Sequence, residues 1–476
     1  MTLLSVYSIL VFLLLGCANV RVQAEQQCRL IAQNALAALD PSSTNAIGLP
    51  NGNSTSTHGS SATPTSTGAT SAPSATVTSF NYGKDIIRGV NLGGWFVLEP
   101  WITPSLFNDT GNDAIIDEFT LGLILDKAEA LKLLTNHWQT WITEQDFIDI
   151  KAAGLTHVRM QIGYWSIPIT SADTNYTTDV DPYIPGAWPY LLQALNWAKQ
   201  HDIHVILDLH GAPGSQNGYD NSGERGDPTW GMNATDVPRT LDIIKFMSEK
   251  IGGMIDVLEL INEPVMYRDS QQQLLTQYYQ QGYQLVRNTT GQDLQVMIGD
   301  AFLGVQSWTN FLTQPSAQGV FMDFHEYQVF NYPQLQLDFN GHINYSCQVL
   351  DQLRSYSQSN IFTIIGEWSV ATTDCALWLN GRGIGARWDG TWQPNQQVFG
   401  NCTGLTGNMS EFSNDYKTFL RKYWEVQADI GEAIQGWVYW AWKVENADDW
   451  SYQRGLQGGW IPQGPTSRMY PNQCSG

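Results

Sequence analysis

From residue 86 onward, short apolar runs recur along the chain, and longer stretches with apolar residues every three or four positions lie between many of them. The runs are Ile86–Leu92, His157–Ile162, His204–His210, Val257–Ile261, Leu294–Gly299, Val320–His325, Ile361–Gly366 and Gly436–Trp442. Runs of this length, rich in β-branched residues and bounded by Gly or Pro, read as buried strands of a parallel sheet. Tyr190–Gln200, Arg239–Ile251 and Gln272–Asn288 have the period of amphipathic helices. Eight strands separated mostly by crossover-length segments predict an α/β protein built as a (β/α)8 barrel. A doubly wound sheet would fit fewer strands and usually carries a Gly-rich phosphate turn; Gly93-Gly94 has no such context.

The N-terminal part is patterned differently. Residues 1–24 read as a secretory signal peptide, with an apolar core at Ile9–Leu15 and a small-residue cleavage site at Val22-Gln23-Ala24. No Lys or Arg precedes that core, which leaves an uncleaved anchor as the alternative, although the run is short for a membrane span. Residues 25–41 read as a short amphipathic or pro-segment, and 42–79 as a Ser/Thr/Pro/Gly-rich linker with too little apolar surface to fold. The ordered domain is expected over 80–476. No internal repeat stands out.

Composition narrows the setting. Without Cys17 of the leader, five cysteines remain, and four of them, Cys347, Cys375, Cys402 and Cys474, fall late enough in the chain to form two disulfides. Cys28 is left over, either free or lost with a pro-segment. Asn-X-Ser/Thr sites at Asn53, Asn108, Asn175, Asn233, Asn288, Asn344, Asn401 and Asn408 favour a secreted glycoprotein. The net charge of −21 argues against nucleic acid and acidic polysaccharides as partners. The 19 Trp residues in a chain only 14% charged suit the apolar faces of neutral sugars, although most are expected in the core.

Candidate chemistry collects where the strands end, which in a barrel is one rim. Arg88, Asn91 and Glu99 belong to the first strand and its loop, Arg159 to the second, and His210 to the third. Asn262 and Glu263 follow the fourth, His325 and Tyr327 the sixth, Glu367 the seventh, and Trp440 and Trp442 the eighth. Two strand-end carboxylates suggest glycoside hydrolysis, in which one carboxyl protonates the leaving oxygen and the other attacks the anomeric carbon. Arg159 and Tyr327 are placed to keep one carboxylate anionic, Asn262 to hold a sugar hydroxyl, and Trp440 to floor the reacting ring. Taken singly, either glutamate reads more readily as a surface residue or a helix N-cap neighbour and His210 as a core histidine, while Arg159 reads equally well as a structural ion-pair partner. His201, His204 and His210 lie along one predicted strand region without a ligand-spaced pair, so no metal or other cofactor is expected.

Together these residues resemble glycoside hydrolase family 5, and within it the secreted fungal exo-β-1,3-glucanases. The resemblance runs from about Gly83 to the C-terminus. It rests on Arg88–Ser105, His210–Gly223, Asn262-Glu263-Pro264, His325–Phe330, Gly366-Glu367-Trp368-Ser369 and Trp440–Ala447. It implies a retaining hydrolase with Glu263 as acid/base and Glu367 as nucleophile. Arg159, His210, Asn262, His325, Tyr327 and Trp440 would line the reacting-sugar site. Glu99 and Asn221 would hold the terminal glucose and help block the pocket, favouring exo action, and Asp220 would be a further substrate-binding residue. Tyr219 and Phe330 look like the family's aromatic clamp, with Tyr219 a mild departure from Phe. The resemblance also implies the pairs Cys347–Cys474 and Cys375–Cys402. The Gly-rich region Gly381–Gly407 and the N-terminal linker depart from the pattern, and the former is placed to reshape the leaving-group side.

The resulting expectation is a monomeric extracellular enzyme acting on neutral β-glucan at a fungal cell wall, with no membrane anchor. An endo-acting β-1,6-glucanase, another β-glycanase or a transglycosylase of the same family is the alternative within enzymes. A catalytically silent glucan-binding wall protein is the alternative of another class.

Overall fold

The computed structural model describes residues 77–266 and 269–474. The predicted leader, the Cys28 segment, Asn53 and all but the end of the linker lie outside the described residues. The eight expected strands form: β1 (Ile87–Asn91), β2 (His157–Gly163), β3 (His204–Gly211), β4 (Val257–Glu259), β5 (Gln295–Gly299), β6 (Val320–Glu326), β7 (Phe362–Trp368) and β8 (Gly436–Tyr439). They are parallel and close in chain order, with β8 pairing back onto β1. Between strands run helices such as Trp188–Gln200, Asp236–Ile251, Asp269–Thr290, Phe339–Ser359 and Asn414–Glu432. Each turns an apolar stripe to the barrel; Asp236–Ile251 buries Val237, Ile243, Ile244, Met247 and Ile251, while Lys245 and Glu249 face water.

Two strands end two or more residues before their apolar runs do. Pairing of β4 stops at Glu259 rather than Ile261, and β8 stops at Tyr439 rather than Trp442. In both, the chain leaves the ladder to build the rim: Asn262 N–H donates to Leu209 O, and Trp442 N–H donates to Asn91 O.

Alternation along each strand stacks the interior in layers. The floor is apolar, with Ile87, Ile206, Val257, Met297, Phe321, Ile364 and Val438 in one cluster covered from outside by Phe80 and Tyr82. Two positions further along, the inward residues are charged: Arg159, Asp208, Glu259 and Asp323, all buried. Above them His210 and His325 reach the rim. Ile206-x-Asp208-x-His210 on β3 and Phe321-x-Asp323-x-His325 on β6 thus repeat one vertical order, from oil to ion to imidazole.

Cys347 pairs with Cys474, fastening the helix Phe339–Ser359 to the C-terminal segment, and Cys375 pairs with Cys402 across the loop after β7. Among the described residues, no helix is long and apolar enough to cross a membrane.

Buried carboxyls set the pH dependence of this fold. Burial pushes Glu118, Asp220, Glu326 and Asp449 each up to about 7. Their folded values lie above their unfolded ones, so the native state holds the extra protons and these groups favour folding at acid pH. That contribution is lost as pH rises through about 7. Burial also lowers His137 and His342 to about 4, which opposes the trend only below the unfolded histidine value of about 6.5. The melting temperature is therefore expected to fall between pH 6.5 and pH 8, as thermal scans across that range would read; a rise would contradict the burial of these four groups as neutral acids.

Candidate active site

The loops that follow the strands carry the side chains of one pocket. Glu263 sits just beyond β4 in a left-handed backbone conformation, φ +43°, which few non-glycine residues adopt and which is common at functional sites. Glu367 lies on β7 beside His325 on β6, at a register irregularity between the two strands. An oxygen of Glu263 and an oxygen of Glu367 come within 4.8 Å, with a nitrogen of His325 inside the same distance of both.

The two carboxylates have different partners. Glu367 Oε1 accepts from Arg159 Nη1 at 2.7 Å, and its Oε2 accepts from the Tyr327 hydroxyl at 2.9 Å. Glu263 Oε1 lies 2.7 Å from His325 Nδ1, and its Oε2 accepts from Asn221 Nδ2 at 3.1 Å. Arg159 also donates to Glu259 at 2.8 Å, Asn91 at 3.0 Å and Asn262 Oδ1 at 2.9 Å, and lies 3.1 Å from Asp208. One buried guanidinium thus orients the Glu367 carboxylate and the asparagine beside Glu263.

Four residues expected to hold the sugar carry a buried polar atom with no hydrogen-bond partner among the described residues: Glu99 Oε1, His210 Nε2, Asp220 Oδ2 and Asn262 Nδ2. Buried polar atoms in folded proteins are almost always satisfied, so the free valences of these four suit hydroxyls of a ligand, although unmatched atoms such as Trp368 Nε1 and Trp424 Nε1 also occur in the core. Trp440, 3% exposed, lies nearly parallel to His210 at 5.8 Å between centroids. The Asn221 amide contacts Glu263 and Asn217, which puts it beside one of the two glutamates. Tyr219 and Phe330 are exposed, as rings at a mouth would be. The region Gly381–Gly407 reaches across the rim, with Arg382 Nη1 donating to Asn112 O and Ile115 O and Phe399 packing on Tyr332.

Beside the glutamates opens a cavity of about 430 Å³, lined by Glu263, Phe302, His325, Tyr327 and Phe330 among others. Phe302 has no motif around it and escapes sequence reasoning. It follows β5 in a turn where Ala301 and Phe302 are both left-handed, held by Asp300 Oδ1, which accepts from Phe302 N–H at 3.1 Å. Asp208, Glu259 and Asp323 were also missed, because each lies inside a run that reads as strand.

Comparison with known proteins agrees with this geometry. Residues 125–380 match the family model described as cellulase, glycosyl hydrolase family 5. The chain is 41% identical over 402 residues to a glucan 1,3-beta-glucosidase of Blumeria graminis, covering 83% of this chain and 91% of that one. It is also 41% identical over 412 residues to a glucan 1,3-beta-glucosidase of Candida oleophila, covering 83% and 93%. The chain belongs to glycosyl hydrolase family 5. A solved rutinosidase from Aspergillus niger shares the hydrolase's fold, with a TM-score of 0.62 at 18% identity over 81% of this chain and 100% of that one.

The proton inventory of this hydrolase follows from the contacts. Burial pushes the Glu367 carboxyl above its usual range, and the charges of His325 and Arg159 only partly offset this. Burial acts on Glu263 in the same sense but is outweighed by the hydrogen bond and charge of His325, so Glu263 lies below the usual range. Burial would lower His325, yet Glu367, Asp323 and Glu263 around it raise it well above an ordinary histidine. Between His325 and Glu263, these surroundings favour the proton on His325. Each ring nitrogen of His325 meets a carboxylate oxygen, Glu263 at 2.7 Å and Asp323 at 3.1 Å, with Glu259 and Glu367 close by.

Proposed function

We propose that this glycoside hydrolase is a retaining exo-β-1,3-glucanase, releasing glucose from non-reducing ends of β-1,3-glucan by double displacement. The observation that carries the reading is the pair Glu263 and Glu367, with oxygens within 4.8 Å and unlike partners. Carboxyls of retaining glycosidases stand about 5–5.5 Å apart, whereas inverting enzymes need about 6.5–9.5 Å to admit a water. The names of the fungal relatives support β-1,3-glucan as substrate, and the buried Glu99, close enough to feel the charges of Asp220, Glu367 and Glu263, supports an end-on mode.

In this mechanism the terminal glucose lies against Trp440, and Asn262 Nδ2 donates to its 2-hydroxyl. Glu367, fixed as an acceptor by Arg159 and Tyr327, attacks the anomeric carbon. Glu263 protonates the departing oxygen, then deprotonates the water that frees the glucose. The direction of the resting shifts, with Glu263 low and Glu367 high, is that of the free protein, where His325 holds the proton. The roles rest on geometry, since the bond from His325 Nδ1 to Glu263 is a 2.7 Å path for proton transfer. A second reading, transfer to a sugar acceptor, is favoured by the exposed Phe302 and Phe330 at the cavity on the Glu263 side.

Secretion as a glycoprotein to the fungal wall fits the N-terminal sequence and the exposure of the asparagine in all seven sequons from Asn108 to Asn408. The test is digestion of β-1,3- and β-1,6-glucan with early products sized and their anomeric form followed by NMR. Glucose alone, appearing as the β-anomer, is expected. Early oligosaccharides would overturn exo action, and initial α-glucose would overturn retention.

A further inference from the structure

Each histidine at the pocket stands above an aspartate two residues earlier on the same strand. On β3, His210 Nδ1 meets Asp208 Oδ2 at 2.5 Å. On β6, His325 Nε2 meets Asp323 Oδ2 at 3.1 Å. The tilts differ: His210 leaves Nε2 toward the sugar site, whereas His325 turns Nδ1 to Glu263. Asp323 is fully buried, and its second oxygen accepts from the Gly366 N–H at 2.8 Å, one residue before Glu367. A Cβ at position 366 would collide with that carboxylate, so glycine there is what lets Asp323 approach the nucleophile strand.

We infer that Asp323 is a positioning residue for the acid/base step, holding His325 in the form that stores the catalytic proton and delivers it to Glu263. This rests on the reading of Glu263 as acid/base. In the resting enzyme His325 is an imidazolium, with Nε2–H donated to Asp323 and Nδ1–H to Glu263. When the glucan displaces water from the pocket, the Nδ1 proton crosses to Glu263 Oε1. Neutral imidazole remains with its proton on Nε2, the tautomer an anionic Asp323 demands. Glu263 passes the proton to the leaving oxygen as the glycosidic bond breaks. In the second half-reaction Glu263 takes a proton from the attacking water and returns it to Nδ1, so the cycle closes with no net gain or loss.

The charges around His325 make this arrangement depend on Asp323. Facing it are Glu263 from the loop after β4, Glu259 on β4, Asp300 after β5, Asp323 on its own strand and Glu367 on β7. Arg159 on β2 bears on the same carboxylates as a cation, and His210 on β3 also faces them. Of the acids, Asp323 is the one bonded to Nε2 and thus the one that sets the tautomer.

Asp323→Asn is nearly isosteric and tests this. With its Oδ1 still accepting from Gly366, it presents an amide N–H to Nε2, which must then accept. His325 keeps its one proton on Nδ1, donates to Glu263 and cannot release the proton without becoming an imidazolate. Glu263 stays ionised. The expected result is a fall in kcat/KM on laminarioligosaccharides of about 10²-fold or more, the scale of a lost general acid. On 2,4-dinitrophenyl β-glucoside, whose leaving group needs no protonation, the fall is less than about 10-fold on the same scale. The basic limb of the kcat/KM profile moves to lower pH. Equal losses on both substrates would mean a structural role, and no loss on either would mean Asp323 is idle; both overturn the inference. Glu263→Gln measured alongside separates the two readings: if that variant lacks the leaving-group dependence, the acid/base assignment itself fails.

Discussion

Glu367→Ala is expected to lower kcat on β-1,3-glucan by about 10⁴-fold or more, the scale seen when a covalent nucleophile is removed. The loss follows from position. Among the described residues no other carboxylate combines burial, a bond from Arg159 and a bond from Tyr327, so none is placed to substitute as the attacking group. Arg159 and Tyr327 remain in the variant and still face the place vacated by the carboxylate. Azide added to the variant should therefore enter from the nucleophile's side with an activated aryl β-glucoside and give an α-glucosyl azide. Product identification by NMR distinguishes this from a folding defect, which azide would not repair. Glucan hydrolysis within about 10-fold of wild type would remove Glu367 from the mechanism.

The second large effect is on stability. Arg159 is fully buried and lies within 4.0 Å of four carboxylates: Asp208, Glu259 and Glu367 at 2.7–3.1 Å and Asp323 at 3.8 Å. Arg159→Met keeps the bulk of the side chain but leaves those acids without their cation. Breaking a buried ionic cluster by removing one partner costs about 3–5 kcal/mol, so a fall in melting temperature of several degrees is expected. Glu259 is the acid best able to relieve it, because burial already raises its carboxyl well above the usual range. Glu259→Gln introduced with Arg159→Met should recover part of the loss, a coupling that a double-mutant cycle measures. Wild-type melting for Arg159→Met, or strict additivity of the two changes, would show that the cluster is not electrostatically linked.

Much of the architecture is visible in the linear pattern. The eight apolar runs mark the strands, because a strand covered on both faces has no polar side to interrupt it. Glu263 and Glu367 stand out for the same reason: each breaks an apolar run at its C-terminal end, where a barrel opens. What hides is the layer beneath them. Asp208, Glu259 and Asp323 occupy inward positions of runs that read as strand whether those positions are charged or not, and only the repeated Asp-x-His spacing betrays two of them. Side-chain direction hides too. That Asn221 bonds Glu263, which sits in a left-handed conformation beyond β4, cannot be read from either residue's place in the sequence. Phe302 is set by two left-handed residues in a row, a conformation that no local preference for Ala-Phe would suggest.

Phe80 and Tyr82 cover the floor of the barrel, and Thr78 N–H donates to Asp202, next to the floor end of β3. The polypeptide thus joins the barrel on the face opposite the pocket. Trimmed to residue 77 and coupled there to a resin or a display scaffold, the enzyme would present its mouth away from the support, open to insoluble polymer.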